Sequence, residues 1–234
     1  MNIVSACQGD SLKIFLRLVN LLEVDYKLDK VGIYVSDSMA FEKVSDPRLI
    51  DSKTLIVTEW EIFDKARDLT PNWDKIRRYE KILGDPVFWN ILISDRRVFF
   101  GKKCKMTQDY SPRFSYDKMG AILESLLDTV DGLFEKQEPD LVVSFGTSNV
   151  GDYLFYLMAK AKNIPFLQLK ATKISNRVSF NDDIVELSSH IKNHYEEEKE
   201  FSLDVSNEAR EYLRQVRKSG VKYEGAILGI CSSS

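Results

Sequence analysis

The chain has 234 residues, enough for one large domain or two small ones with a proper core. Its 44% hydrophobic and 29% charged residues are the balance of an ordinary globular protein, and a net charge of -3 gives no global attraction to nucleic acid or to an anionic membrane. Cys7, Cys104 and Cys231 are an odd number, widely spaced and without a CxxC pair. That pattern excludes a disulfide framework and a structural zinc site and fits a reducing compartment, so a cytoplasmic protein is expected. Neither a membrane-length apolar run nor a signal-peptide pattern is present.

In chain order, Ile3 to Cys7 reads as a first strand, and Gln8-Gly9-Asp10-Ser11 as a turn carrying a helix N-cap. Leu12, Phe15, Leu18, Val19 and Leu22 then mark one helical face. Val31 to Val35 is a second strand, after which Asp37-Ser38 caps a short helix through Phe41. Leu55 to Thr58 is a third strand, closing at Glu59-Trp60-Glu61. Beyond it, the pattern predicts a helix from Asn72 to Leu83 and leaves the rest of 60–112 unassigned.

Met119, Ile122, Leu123, Leu126, Val130 and Phe134 trace a long amphipathic helix. The next stretch, Glu138 to Asp183, is the most informative. Leu141 to Phe145 is a buried strand that runs into a polar turn at Gly146 to Asn149. Val150, Tyr153, Leu154, Leu157, Met158 and Ala161 form a helical face, and Pro165 opens another apolar strand, Phe166 to Leu169. This βαβ unit predicts parallel strands in one sheet, flanked by helices, with ligands bound at the carboxyl ends of the strands. Helices are then expected at Ile184 to Glu198 and Asn207 to Lys218. The division expected is a Rossmann-like α/β domain over 1–204, and a helix with a strand-like tail over 205–234 that reads as a linker to, or the start of, a second domain.

Four segments in this order resemble the bacterial and archaeal capsule polysaccharide biosynthesis proteins. They are Trp89 with Ile93-Ser-Asp-Arg-Arg-Val-Phe-Phe-Gly101, Pro139-Asp-Leu-Val-Val-Ser-Phe145, Tyr156-Leu-Met-Ala-Lys-Ala-Lys-Asn-Ile-Pro-Phe166, and Thr172-Lys-Ile-Ser-Asn-Arg-Val-Ser-Phe-Asn-Asp-Asp183. The resemblance covers 86–183 and implies the N-terminal, acceptor-side half of a two-domain (GT-B type) glycosyltransferase. It implies a nucleotide sugar as donor, a glycan as acceptor, and a second half that holds most of the nucleotide site. No cofactor is expected in this chain, no nucleic-acid partner, and at most peripheral contact with a membrane. An exposed domain–domain face would favour association, for instance as a homodimer. The other class of function is a non-catalytic module that binds a ligand or partner within a polysaccharide assembly complex.

The candidate site residues carry two readings each. Ser144, Gly146, Thr147, Ser148 and Asn149 lie at a strand end before a helix N-terminus, where backbone N–H groups can hold a sugar hydroxyl, carboxylate or phosphate; the same residue types also cap helices. Gly9 would let an acceptor approach the backbone, and Asp10 could take the proton of an attacking hydroxyl or serve as a cap. Glu59 is a second candidate base at the end of its strand. Asn176 and Arg177, in a loop after the strand Phe166 to Leu169, could clamp a carboxylate or phosphate, or Arg177 could pair with Asp182 or Asp183 in the same loop. Asp95 and one of Arg96 and Arg97 read as a loop anchor. His190 and His194 have ligand spacing without a third ligand, and Trp60, Trp73 and Trp89 serve either as core or as surfaces for sugars.

Overall fold

A computed structural model describes residues 1–44, 53–100, 112, 114–146, 149–172, 177–184, 188–198 and 207–219. Within them a six-stranded sheet runs in the order β3-β2-β1-β4-β5-β6. The strands are β1 Asn2–Cys7, β2 Lys30–Val35, β3 Thr54–Thr58, β4 Leu141–Ser144, β5 Phe166–Ala171 and β6 Val178–Asn181. The first five are parallel and β6 is antiparallel to β5. The architecture is therefore a helix-flanked, mostly parallel, Rossmann-like sheet.

Helices cover both faces, as a parallel sheet requires. Helix α1 (Ser11–Asp25) buries Leu12, Phe15 and Leu16 against Ile3, Cys7, Ile33 and Val143 on one face, with Phe41 of α2 (Ser38–Val44) beside them. The opposite face carries the long crossover from β3 to β4. It is built from α3 (Glu59–Lys65), a 3₁₀ turn (Ala66–Asp68), α4 (Trp73–Leu83), α5 (Trp89–Ser94), α6 (Arg96–Phe100) and α7 (Tyr116–Gln137). Helix α8 (Val150–Ala161) returns from β4 to β5 on the same face, packing Leu154, Phe155 and Met158 with Val130 and Phe134 of α7.

The strand pleat sorts these contacts. Val31, Ile33 and Val35 point to α1, whereas Tyr34 points to α8 and is fully buried there. A ring this large fits because α8 presents Gly151; a β-carbon at that position would lie 2.6 Å from Tyr34 Cζ.

Five of the strands lie where the apolar runs predict them. The sixth corrects the expectation: residues 178–181 pair with β5 as an edge strand rather than forming loop. Glu59 also opens a helix rather than closing a strand. Helix α9 is Ser189–Glu198, shorter than 184–198, and α10 is Asn207–Ser219. The strand-like tail at 225–231, Cys104, Cys231, Thr147, Ser148 and Asn176 lie outside the described residues.

Candidate functional site

Strand order reverses between β1 and β4, so the chain leaves these two neighbours in opposite directions and opens a crevice at their carboxyl ends. The turn after β1 depends on Gly9, whose φ of 57° is a left-handed conformation that glycine adopts without strain. Ser11 closes this turn: its Oγ accepts from Gln8 N at 2.7 Å and donates to Gln8 O at 2.8 Å. Asp10 occupies the N-cap position of α1 with helical backbone angles, and its side chain makes no capping bond. The carboxylate is exposed and pairs with no other described residue.

Across the crevice, Ser144 is buried and its hydroxyl donates to Gly146 O at 2.7 Å, which folds the turn onto itself. Asn149 caps α8: its Oδ1 accepts from Asp152 N at 2.8 Å, and its Nδ2 donates to Asp152 Oδ2, also at 2.8 Å. The same Nδ2 lies 3.3 Å from Gln8 Oε1. The two turns singled out from sequence are thus joined directly.

Beneath them lies a charged cluster that the sequence pattern did not disclose. Glu59 is 4% exposed; its Oε1 accepts from Tyr34 Oη at 2.7 Å and its Oε2 from Arg97 Nη1 at 2.6 Å. Arg97 also grips Asp95 through Nε at 3.3 Å and Nη2 at 3.1 Å. Asp95 Oδ2 accepts from Val150 N at 3.0 Å, one of the free N–H groups at the start of α8. Asp95 and Arg97 therefore do anchor their segment, and they anchor it to the crevice. Asp152 is 3% exposed, and its Oδ1 has no hydrogen-bond partner among the described residues.

Three buried carboxylates face one guanidinium. Burial pushes the Glu59 carboxyl up to about 7; Arg97 and the Tyr34 hydroxyl oppose the shift, and Asp95 adds to it. Burial likewise pushes Asp152 up to about 8, against the pull of Arg97 and with the charges of Glu59 and Asp95 behind it. Desolvation holds the Tyr34 phenol well above its usual range and pushes the Cys7 thiol up to about 12, so Cys7 is a core residue.

Other candidates lie elsewhere. Arg177 is exposed on the connection between β5 and β6, where its carbonyl accepts from Thr172 N at 2.9 Å and Thr172 Oγ1 at 2.9 Å. Asp182 is engaged by Ser189, and Asp183 by Tyr156 at 2.7 Å. His190 and His194 are exposed on α9. Among the described residues no group of three or more His, Cys, Asp or Glu side chains is arranged to hold a metal ion.

Tyr34, Gln8 and Asp152 belong to the site and were not singled out individually. For Asp152 a signal exists: Asn149-x-x-Asp152 has the spacing of a capping box.

Comparison with known proteins adds no relative: no protein-family model matches the chain, and no curated protein matches it either. Fold and site together define an α/β protein with a Rossmann-like sheet and a polar crevice at its topological switch point. Among the described residues no helix is long and apolar enough to cross a membrane.

Proposed function

We propose that the chain is the acceptor-side half of a GT-B type glycosyltransferase in capsule or cell-surface polysaccharide synthesis. In this reading a glycan acceptor lies in the β1/β4 crevice, and a nucleotide sugar is presented by a second domain. The observation that carries it is the Asn149–Gln8 contact, which joins the two strand-end turns into one floor while Asp10 stands exposed and uncommitted on its rim.

The roles follow from what each group has free. Asp10 is the base that meets the acceptor hydroxyl, because no capping bond or ion pair holds its carboxylate. Glu59 is withdrawn from solvent with both oxygens engaged, so it works through Arg97, fixing the residue that locks Asp95 onto the start of α8. Gly9 and Gly146 leave the backbone open to an acceptor ring. Arg177, one strand beyond the crevice, serves an anionic substituent of the acceptor or donor.

The test is a titration of the protein with acceptor oligosaccharides, read by amide chemical shifts, together with an assay for release of nucleotide from UDP-, GDP- and TDP-sugars. The proposal expects shifts at Gly9, Asp10, Gly146 and Asn149 and no turnover by these 234 residues alone. Robust transfer by this chain alone contradicts the half-enzyme reading, and shifts that avoid the crevice contradict the site.

A further inference from the structure

A second candidate site lies away from the crevice, between α4, α5 and the start of α7. A cleft of about 290 Å³ opens there, walled by Trp73, Trp89 and Tyr116 and floored by Phe88. The Tyr116 ring centroid is 4.6 Å from Trp73 at an interplanar angle of 30°, and 4.6 Å from Trp89 at 40°, so Tyr116 packs on both indoles and its ring forms an aromatic ledge over them. Tyr116 is 56% exposed although it is part of this stack. Large aromatics that pack against one another and still face solvent present apolar ring surface to whatever enters the cleft.

The rim supplies charges of both signs. Glu80 Oε1 accepts from Phe88 N at 3.1 Å, which fixes the carboxylate at the mouth, and Oε2 has no hydrogen-bond partner among the described residues. Arg77 spends Nη1 on an exposed pair with Asp74 at 3.1 Å, and its Nε and Nη2 have no partner among the described residues. An aromatic ledge beside one free acceptor and two free donors complements a ring with an apolar C–H face and polar hydroxyls at its edge. The volume lies at the small end of the range for ligand pockets, which suits a single ring.

We infer that this cleft binds one pyranose unit of a saccharide, its C–H face on the exposed Tyr116 ring and its hydroxyls on Arg77 and Glu80. Helix α5 runs from Trp89 to Ser94 and is capped by Asp95. At 1.5 Å rise per residue, the ledge therefore stands about 9 Å from the charged cluster along that helix. The cleft is a separate saccharide contact, defined by its own side chains and independent of the glycosyltransferase reading.

The experiment titrates the whole chain with cellotriose, N,N′-diacetylchitobiose and, as a planar competitor class, adenosine. Tryptophan fluorescence and saturation-transfer NMR read the binding. Saturable binding of at least one saccharide is expected, weakened about tenfold by Tyr116→Ala and about fivefold by Arg77→Met, in line with the worth of one aromatic contact and one hydrogen bond. Both residues are exposed, so neither change should unfold the protein, which circular dichroism checks. Asp10→Ala should leave the tryptophan fluorescence response unchanged. Absence of saccharide binding overturns the inference, as does binding unaffected by both substitutions or capture of adenosine in place of the sugars. Failure of the indole response alone leaves the crevice reading standing, because that is read at the amides of Gly9 and Asn149 rather than at the indoles.

Discussion

Asn149 Nδ2 lies 3.3 Å from Gln8 Oε1, tying together two turns whose residues are 141 apart in the chain. One amide thereby caps α8, holds Asp152 and bridges the switch point of the sheet. Asn149→Ala should cost about 1–2 kcal/mol through the lost cap, and more where it leaves the Asp152 carboxyl with neither oxygen bonded. Gln8→Ala leaves the cap intact and should stay within about 0.5 kcal/mol. Urea denaturation of the two variants and of the double variant separates capping from bridging.

Arg97 is the one cation bonded to Glu59 and Asp95 among the described residues. Arg97→Met strands two buried carboxylates and should cost about 3–5 kcal/mol. Placing the same substitution in a Glu59→Gln background should cost less, because one of those charges has gone. Arg97→Lys should not restore stability, since an ammonium cannot serve Asp95 through two nitrogens while also reaching Glu59. Equal losses in both backgrounds would show that Glu59 and Arg97 are not coupled.

The raised carboxyls set a direction with pH. Glu59 stands at about 7 and Asp152 at about 8 in the folded chain, both above their ordinary values of 4.5 and 3.8. The folded state then binds more protons than the unfolded one, so the stability these two groups contribute is fully present below about pH 4 and is lost as pH rises to 7 and 8. Thermal unfolding between pH 5 and pH 9 should show the melting temperature falling on the alkaline side. Asp152→Asn should flatten the upper part of that fall.

Asp10 and Ser11 separate function from capping. Ser11 closes the Gln8 turn with two hydrogen bonds, so Ser11→Ala should cost about 1 kcal/mol. Asp10 makes no capping bond and is exposed, so Asp10→Ala should be neutral within about 0.5 kcal/mol. In an assembled glycosyltransferase the same change should lower transfer by about 10²-fold or more. A stability loss comparable to that of Ser11→Ala would return Asp10 to a capping role.

The parallel sheet was legible because its strands are apolar runs followed by turn chemistry, as at Leu141 to Asn149. β6 was not: Val178 and Phe180 are exposed, while Asn181 is buried, so its polarity runs opposite to that of a strand with an apolar inner face. Helices α5 and α6, of 6 and 5 residues, are too short to establish a period. At the site, the turns could be read locally. The Glu59–Arg97 pair joins residues 38 apart, one at the start and one near the middle of a crossover whose path no local pattern specifies. Tyr34 read as one more strand aromatic, because its role depends on the space left by Gly151 on a helix distant in sequence.

Binding of an acceptor glycan in the β1/β4 crevice is decided by an amide chemical-shift titration of the whole chain with oligosaccharide acceptors, repeated with Asp10→Ala. Saturable shifts are expected at Gly9, Asp10, Gly146 and Asn149, and they should weaken in the variant. Shifts confined to the Trp73 and Trp89 indoles, or none at all, would contradict it.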